Sequence, residues 1–186
     1  MKGRCQVRRT RDINKCAKEN GFPMPHVVSI AFKTSEMESK PADRFSRTCV
    51  ERAVLKPGQG IVGDVKGGSG KRQLNVMFAE AVAELEAEGL HVEPGELGEQ
   101  IVIAGLPPEL RAAGVQLQIG ASAVISLDYP RTGCARFEHI QQRSKQSVAG
   151  RLGMMARVLV GGEIAVGDPV SVTASKDYPT QQMLFS

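Results

Sequence analysis

Short apolar runs of strand length, each closed by a glycine or proline turn, recur along the chain and constrain its fold more than any other feature. The cleanest is Val115 to Ile119, where Val115, Leu117 and Ile119 alternate with Gln116 and Gln118. That period of two marks a half-buried strand. Val27–Phe32, Thr48–Lys56, Gln73–Met77, Gln100–Ala104, Ala123–Leu127 and Val170–Thr173 read as further strands, Thr48–Lys56 ending at Pro57-Gly58. Ala156–Val160, Gly161-Gly162 and Glu163–Val166 predict a hairpin, with the two glycines supplying the positive φ of a tight turn. Helical periodicity is clear in one place: Phe78, Val82 and Leu85 share a face, Glu80, Glu84 and Glu88 lie on others, and Gly89 closes the segment. Pro107-Pro108 opens a short helical turn through Ala113, and the polar stretch His139–Ala149 reads as a second helix. The expected class is mainly β, a closed or nearly closed β-barrel with one or two peripheral helices and minor α+β character.

At 186 residues the chain fits one compact domain. No apolar run approaches the roughly 18 residues that cross a bilayer, and the charged N-terminus lacks the apolar stretch of a secretory signal. A cytoplasmic domain without membrane contact is therefore expected. Aromatic residues make up 4% and tryptophan is absent, so base-stacking platforms are hard to assemble. The net charge of +4 is unevenly spread. Residues 1–23 hold seven basic side chains against Asp12 and Glu19, leaving 17 basic and 18 acidic groups in the rest. Residues 1–23 are thus expected to be a basic, disordered tail, with residues 24–186 forming the barrel domain, whose body carries no footprint for nucleic acid.

Four cysteines, at 5, 16, 49 and 134, form no C-x-x-C pair and match no zinc spacing. Cys49 falls in a strand-like run and reads as a small buried hydrophobe. Gly58-Gln59-Gly60-Ile61-Val62-Gly63 spells a dinucleotide fingerprint, but Asp64 and the glycines beyond continue a loop where a helix is required, so no nucleotide cofactor is expected. Gly70-Lys71 resembles the end of a P-loop, yet Val65 and Arg72 stand where glycine and Ser/Thr are needed. The Gly67–Gly70 loop with Lys71 and Arg72 could still cradle a single phosphate.

The stretch Asp128-Tyr129-Pro130-Arg131-Thr132-Gly133-Cys134 carries more chemistry. Tyr129–Gly133 breaks the strand pattern, and Cys134 follows it at a turn with Arg131 and Arg136 on either side. Cations near a thiol favour its thiolate, the form that binds soft metals and carries sulfur. Asp128 and Glu138 act in the opposite sense. On these residues alone a packing role and a reactive role both stay open.

Taken together the segments are distinctive. Gly60-Ile61-Val62-Gly63-Asp64, Lys71-Arg72-Gln73, Pro94-Gly95-Glu96-Leu97-Gly98-Glu99, Ala104-Gly105-Leu106, Ile119-Gly120, Pro130 to Cys134 and Arg157 to Ile164, ending at Gly167-Asp168, occur in one order. In this the chain resembles the stand-alone MOSC domains, the family named after the C-terminal part of molybdenum cofactor sulfurase, over roughly Pro25 to Thr173. The resemblance implies a MOSC-type β-barrel and places the family's functional cysteine at Cys134, as catalytic thiol and as metal ligand. It implies a molybdenum cofactor (molybdopterin), with Cys134 ligating molybdenum or carrying a persulfide. Lys71, Arg72, Glu99 and Arg131 become the cofactor-binding candidates, Lys71 and Arg72 for the pterin phosphate and Glu99 at the barrel mouth. It also implies a separate sulfur-donor or electron-transfer protein as partner, the latter if the chain reduces N-hydroxylated compounds. Two positions depart from the family pattern: Gly133 stands where proline is frequent, and Gln100 where asparagine is.

Overall fold

The computed structural model describes residues 24–37, 41–70 and 72–175. The sequence lays down β1 (His26–Phe32), β2 (Thr48–Val50), β3 (Arg52–Lys56), β4 (Gly60–Ile61) and β5 (Leu74–Phe78). After them come α1 (Ala79–Ala87), β6 (Ile101–Ala104), a 3-10 turn at Pro108–Leu110, β7 (Gln116–Ile119) and β8 (Ala123–Pro130). The chain continues through α2 (Ala135–Gln141), β9 (Met154–Val160), β10 (Gly162–Ala165) and β11 (Val170–Ala174). The protein is mainly β with two helices. No helix among the described residues is long and apolar enough to cross a membrane.

Eight strands form one sheet in the order β11-β7-β8-β9-β5-β6-β1-β2, and three form a second in the order β10-β3-β4. Every named pair is antiparallel except β5–β6, which run parallel because α1 carries the chain across between them. Of the expected closed or nearly closed barrel, the mainly β architecture with one large sheet forms, but no closed ladder does. A bridge between His26 and Pro169 and backbone bonds such as Val27 N–H to Asp168 O at 3.0 Å join the start of β1 to the segment before β11. Their ladders do not continue past that point.

Three expectations are corrected in the same way. Thr48–Lys56 is two strands, because at Glu51 the chain leaves the large sheet for the small one. The hairpin through Gly161-Gly162 does not form: β9 pairs with β5 and β8, whereas β10 pairs with β3, more than a hundred residues away in sequence. Neither glycine has positive φ. They are needed for close approach, since a Cβ at 161 would lie 2.9 Å from Leu55 O and one at 162 would lie 2.4 Å from Ser122 Oγ. The second helix starts earlier than His139, at the Cys134 cap, and Gln142 ends it in the left-handed region at φ 51. Buried Phe137 and Gln141, four residues apart, set its inward face.

Two apolar clusters hold these layers. One fills the space between the sheets, with Ile30, Leu55, Ile61, Leu74, Leu117 and Ile125 fully shielded. The other lies under the helices, where Leu85 of α1 and Phe137 of α2 meet Met77, Leu97, Val102 and Leu152. Burying a side chain such as Leu85 or Phe137 contributes ~1.5–3 kcal/mol. This second cluster fixes α2, and with it Cys134, against the face of the large sheet at β5 and β6.

Candidate functional site

The site is built around one loop, Pro94 to Gln100. Gly95 and Gly98 both adopt positive φ, 90° and 82°, which turns the loop tightly enough for its carbonyls to face two arginines. Arg47 Nη2 donates to Gly98 O at 2.8 Å, and Arg131 Nη1 donates to Leu97 O at 2.6 Å. Behind them Glu99 is 3% exposed, and its Oε1 accepts the Gly95 N–H at 2.5 Å. Burial holds the Glu99 carboxyl above the usual carboxylate range, against the Gly95 N–H and the two arginines, which favour its charge. Burial likewise pulls Arg131 below the ordinary arginine value. Glu99 and the Cys134 sulfur counter that effect, while Arg47 and Arg72 add to it. Arg47 is lowered by its own burial and supported by Asp64 and Glu99.

Arg131 stands where β8 ends, its backbone N–H held by Gly153 O at 2.9 Å. Three residues later Cys134 caps α2, exposed and free of any disulfide. Gly133 between them cannot carry a side chain without movement, because a Cβ there would lie 2.6 Å from Lys145 Cβ. The two carboxylates expected to oppose Cys134 are engaged elsewhere. Asp128 takes the Arg157 guanidinium at 2.6 and 3.1 Å, and Glu138 accepts Lys145 N–H at 3.1 Å.

A cavity of about 390 Å³ opens beside Cys134, within the size range of small-molecule sites. Six cationic side chains line it, Lys33, Arg47, Lys66, Arg72, Arg131 and Arg136, and no carboxylate is among its described lining residues. Arg136 is partly committed, donating to Pro41 O at 2.5 Å and Arg44 O at 2.9 Å. Asp64 sits just behind, 6% exposed. It accepts Lys66 N–H at 2.9 Å and Gln100 Nε2–H at 3.0 Å, which ties the Gly60–Asp64 segment to the cavity wall.

Of the residues singled out in the sequence, Cys134, Arg131 and Arg72 line this cavity together. Glu99 does not line it; it lies behind Arg47 and Arg131. Lys71 lies outside the described residues. In the glycine loop the Gly67 and Gly68 amides donate to Asp64 O and Gln59 O, so that segment brings Lys66 and Arg72 side chains to the cavity rather than those two amides. The segment Gly58–Gly63 forms β4 and a turn, and no helix starts there. Cys49 is half-buried in β2 rather than buried, with its Sγ 3.7 Å from Pro94 O. Sequence reasoning missed Arg47 and Asn75. Arg47 gave no signal, being one arginine in a polar loop. Asn75 did give one, as the single polar residue in the fully buried run Leu74–Phe78.

Among the described residues no three His, Cys, Asp or Glu side chains converge as a metal site. A molybdenum cofactor brings dithiolene sulfurs of its own, so one protein thiol is enough. The residues present fit such a group: an exposed thiol, a cationic wall, and buried polar atoms without partners at Arg47 Nε and Nη1 and at both amide atoms of Asn75.

A family model described as the MOSC domain matches residues 35–171. Among solved structures the chain is similar to YiiM from Geobacillus stearothermophilus, with 19% identity over 81% of this chain and 75% of that one and a TM-score of 0.62. It is similar to the YUAD protein from Bacillus subtilis, at 17% identity over 80% and 94%, with a TM-score of 0.62. YiiM from Escherichia coli matches at 20% identity over 82% and 71%, with a TM-score of 0.59. At these identities the likeness is one of fold. None of the curated proteins compared matches the chain.

Proposed function

The chain belongs to the MOSC domain family, and on that premise we propose that it binds the molybdenum cofactor or carries sulfur for metal–sulfur chemistry, with Cys134 as the working thiol. One observation carries this reading: Cys134 is exposed on the wall of a cavity lined by six cations and, among the described residues, by no carboxylate. Such a wall favours an anionic ligand beside the thiol.

Cys134 would hold the metal, while Arg72, Lys71 and Lys66 would take the cofactor's phosphate. Arg47 and Arg131 would face its polar edge, and Glu99 would keep those two arginines in place from behind. The bound group would supply two-electron redox chemistry at molybdenum; the chain supplies binding, charge and exclusion of water. In the carrier role the Cys134 thiolate attacks the outer sulfur of a donor persulfide. One S–S bond forms as another breaks, giving Cys134 persulfide and releasing the donor's thiolate. The donor is a separate protein. The reading sets the domain in the cytoplasm, where thiols stay reduced.

Molybdenum and sulfane-sulfur analysis of protein purified from a molybdopterin-competent host tests the proposal; a chain carrying neither contradicts it. Turnover as a reductase of N-hydroxylated compounds uses the same thiol and a separate electron-transfer protein. Steady-state reduction of a hydroxylamine with an artificial donor separates it from carriage.

A further inference from the structure

Four amide side chains are buried among the described residues: Gln73, Asn75, Gln100 and Gln141. Three of them use both amide atoms. Gln73 accepts Val158 N–H at 3.0 Å and donates to Gly70 O at 3.4 Å. Gln100 accepts Asn75 N–H at 2.8 Å and donates to Asp64 at 3.0 Å. Gln141 accepts His91 N–H at 2.9 Å and donates to His91 O at 2.9 Å. Asn75 is 3% exposed, and neither Oδ1 nor Nδ2 has a partner.

The backbone around Asn75 is fully engaged, its N–H by Gln100 Oε1 and its O by Gln100 N–H at 2.9 Å. The orphaned amide is therefore not the product of a loose strand. Buried polar atoms without partners carry the full cost of their lost hydration, and each one in a native fold calls for an explanation, a functional partner among them. Asn75 lines the cavity beside Cys134. An amide presents a donor and an acceptor side by side. A phosphate group offers mainly acceptor oxygens on a tetrahedral centre and no flat donor–acceptor edge, so it does not match the two amide atoms side by side.

We propose that Asn75 is the specificity-determining residue of this cavity, reading a paired donor and acceptor, such as a lactam edge, on the anionic molecule that binds beside Cys134. The inference rests on the cofactor reading above and deepens it. The cations select for negative charge, which many metabolites carry; Asn75 selects for a flat amide-like edge among them. It is a binding residue with no part in the chemistry at sulfur.

The test uses full-length protein from a host that makes no molybdopterin, with pterin-6-carboxylate and inorganic phosphate as probes in calorimetric titration. Wild type should bind pterin-6-carboxylate at least tenfold more tightly than Asn75→Leu, while phosphate should lose less than about threefold, having at most the one bond to Nδ2 to give up. Without probe, Asn75→Leu should melt no lower than wild type, because it removes an unsatisfied group, whereas Gln73→Leu should melt lower. Equal binding of pterin-6-carboxylate by wild type and Asn75→Leu overturns the proposal. So does a fall in the Asn75→Leu midpoint matching that of Gln73→Leu. Binding of phosphate alone by wild type overturns it too, leaving an anion site that reads charge only. Binding of neither probe overturns the cofactor reading itself, and this inference with it.

Discussion

Gly98 and Arg131 fit each other at the level of single atoms: a Cβ on residue 98 would lie 2.8 Å from Arg131 Nη2. Gly98 also holds φ at 82°. Glycine is required twice over, once to turn the loop and once to let the guanidinium lie across it and reach Leu97 O. The loop and the arginine therefore position one another, and Arg131 is the side chain that joins Glu99 on the buried side to Cys134 on the cavity side.

Gly98→Ala should accordingly cost ~1–2 kcal/mol from the left-handed backbone alone. The arginine, being flexible, would swing away and give up its bond to Leu97 O. Denaturant unfolding gives the stability loss; a crystal structure of the variant should show Arg131 displaced from the loop.

Glu99→Gln tests the buried carboxyl. Because burial raises its pKa, the folded chain binds that proton more tightly than the unfolded one does. The stability it contributes is full below the unfolded value of about 4.3 and is lost as pH rises through the folded value. The glutamine variant keeps an acceptor for Gly95 N–H and has no proton to lose. Its stability relative to wild type should therefore climb with pH above about 4.3, in unfolding curves taken at successive pH values. Parallel curves would show that Glu99 titrates normally.

Gly133 faces Lys145, whose Cβ would lie 2.6 Å from a Cβ at 133. Gly133→Ala should destabilise by ~1–3 kcal/mol, the usual range for overpacking. Lys145→Gly removes the facing Cβ and should recover part of that loss, so the two changes should be non-additive in a double-mutant cycle.

How far these features could be read from sequence depends on how local they are. The period-two run at Val115–Ile119 and the helical face of Val82 and Leu85 are properties of a few adjacent residues, and both form. The hairpin at Gly161-Gly162 failed because the partner of β10 is β3, and pairing so distant in sequence leaves no trace in the turn. Cys134 and Arg131 stood out through three shared residues of chain. Arg47 reaches the same loop from 51 residues away, and only the folded backbone brings it there. Glu99 was legible as part of a motif, but its place behind the arginines rather than on the cavity wall was not.

Residues 1–23 carry their charge apart from the rest of the sequence and show no apolar periodicity. Deleting them should move the melting midpoint by less than about 2 °C, equivalent to under about 1 kcal/mol for a chain this long. A larger fall in a differential scanning experiment would show that the segment packs on the domain.

The central claim is that Cys134 is the thiol through which this domain works, and the most direct measurement is metal and sulfane-sulfur content per chain, before and after its replacement. Purified from a host that makes no molybdopterin, wild type and Cys134→Ser should melt alike, since Cys134 is exposed. The content comparison uses both proteins purified side by side from a molybdopterin-competent host, where a bound group would stabilise wild type alone. Wild type should carry molybdenum or sulfane sulfur at a substantial fraction of one per chain, and Cys134→Ser should carry at least tenfold less. Equal content in the two proteins would contradict the account and make Cys134 a surface residue of α2 and nothing more.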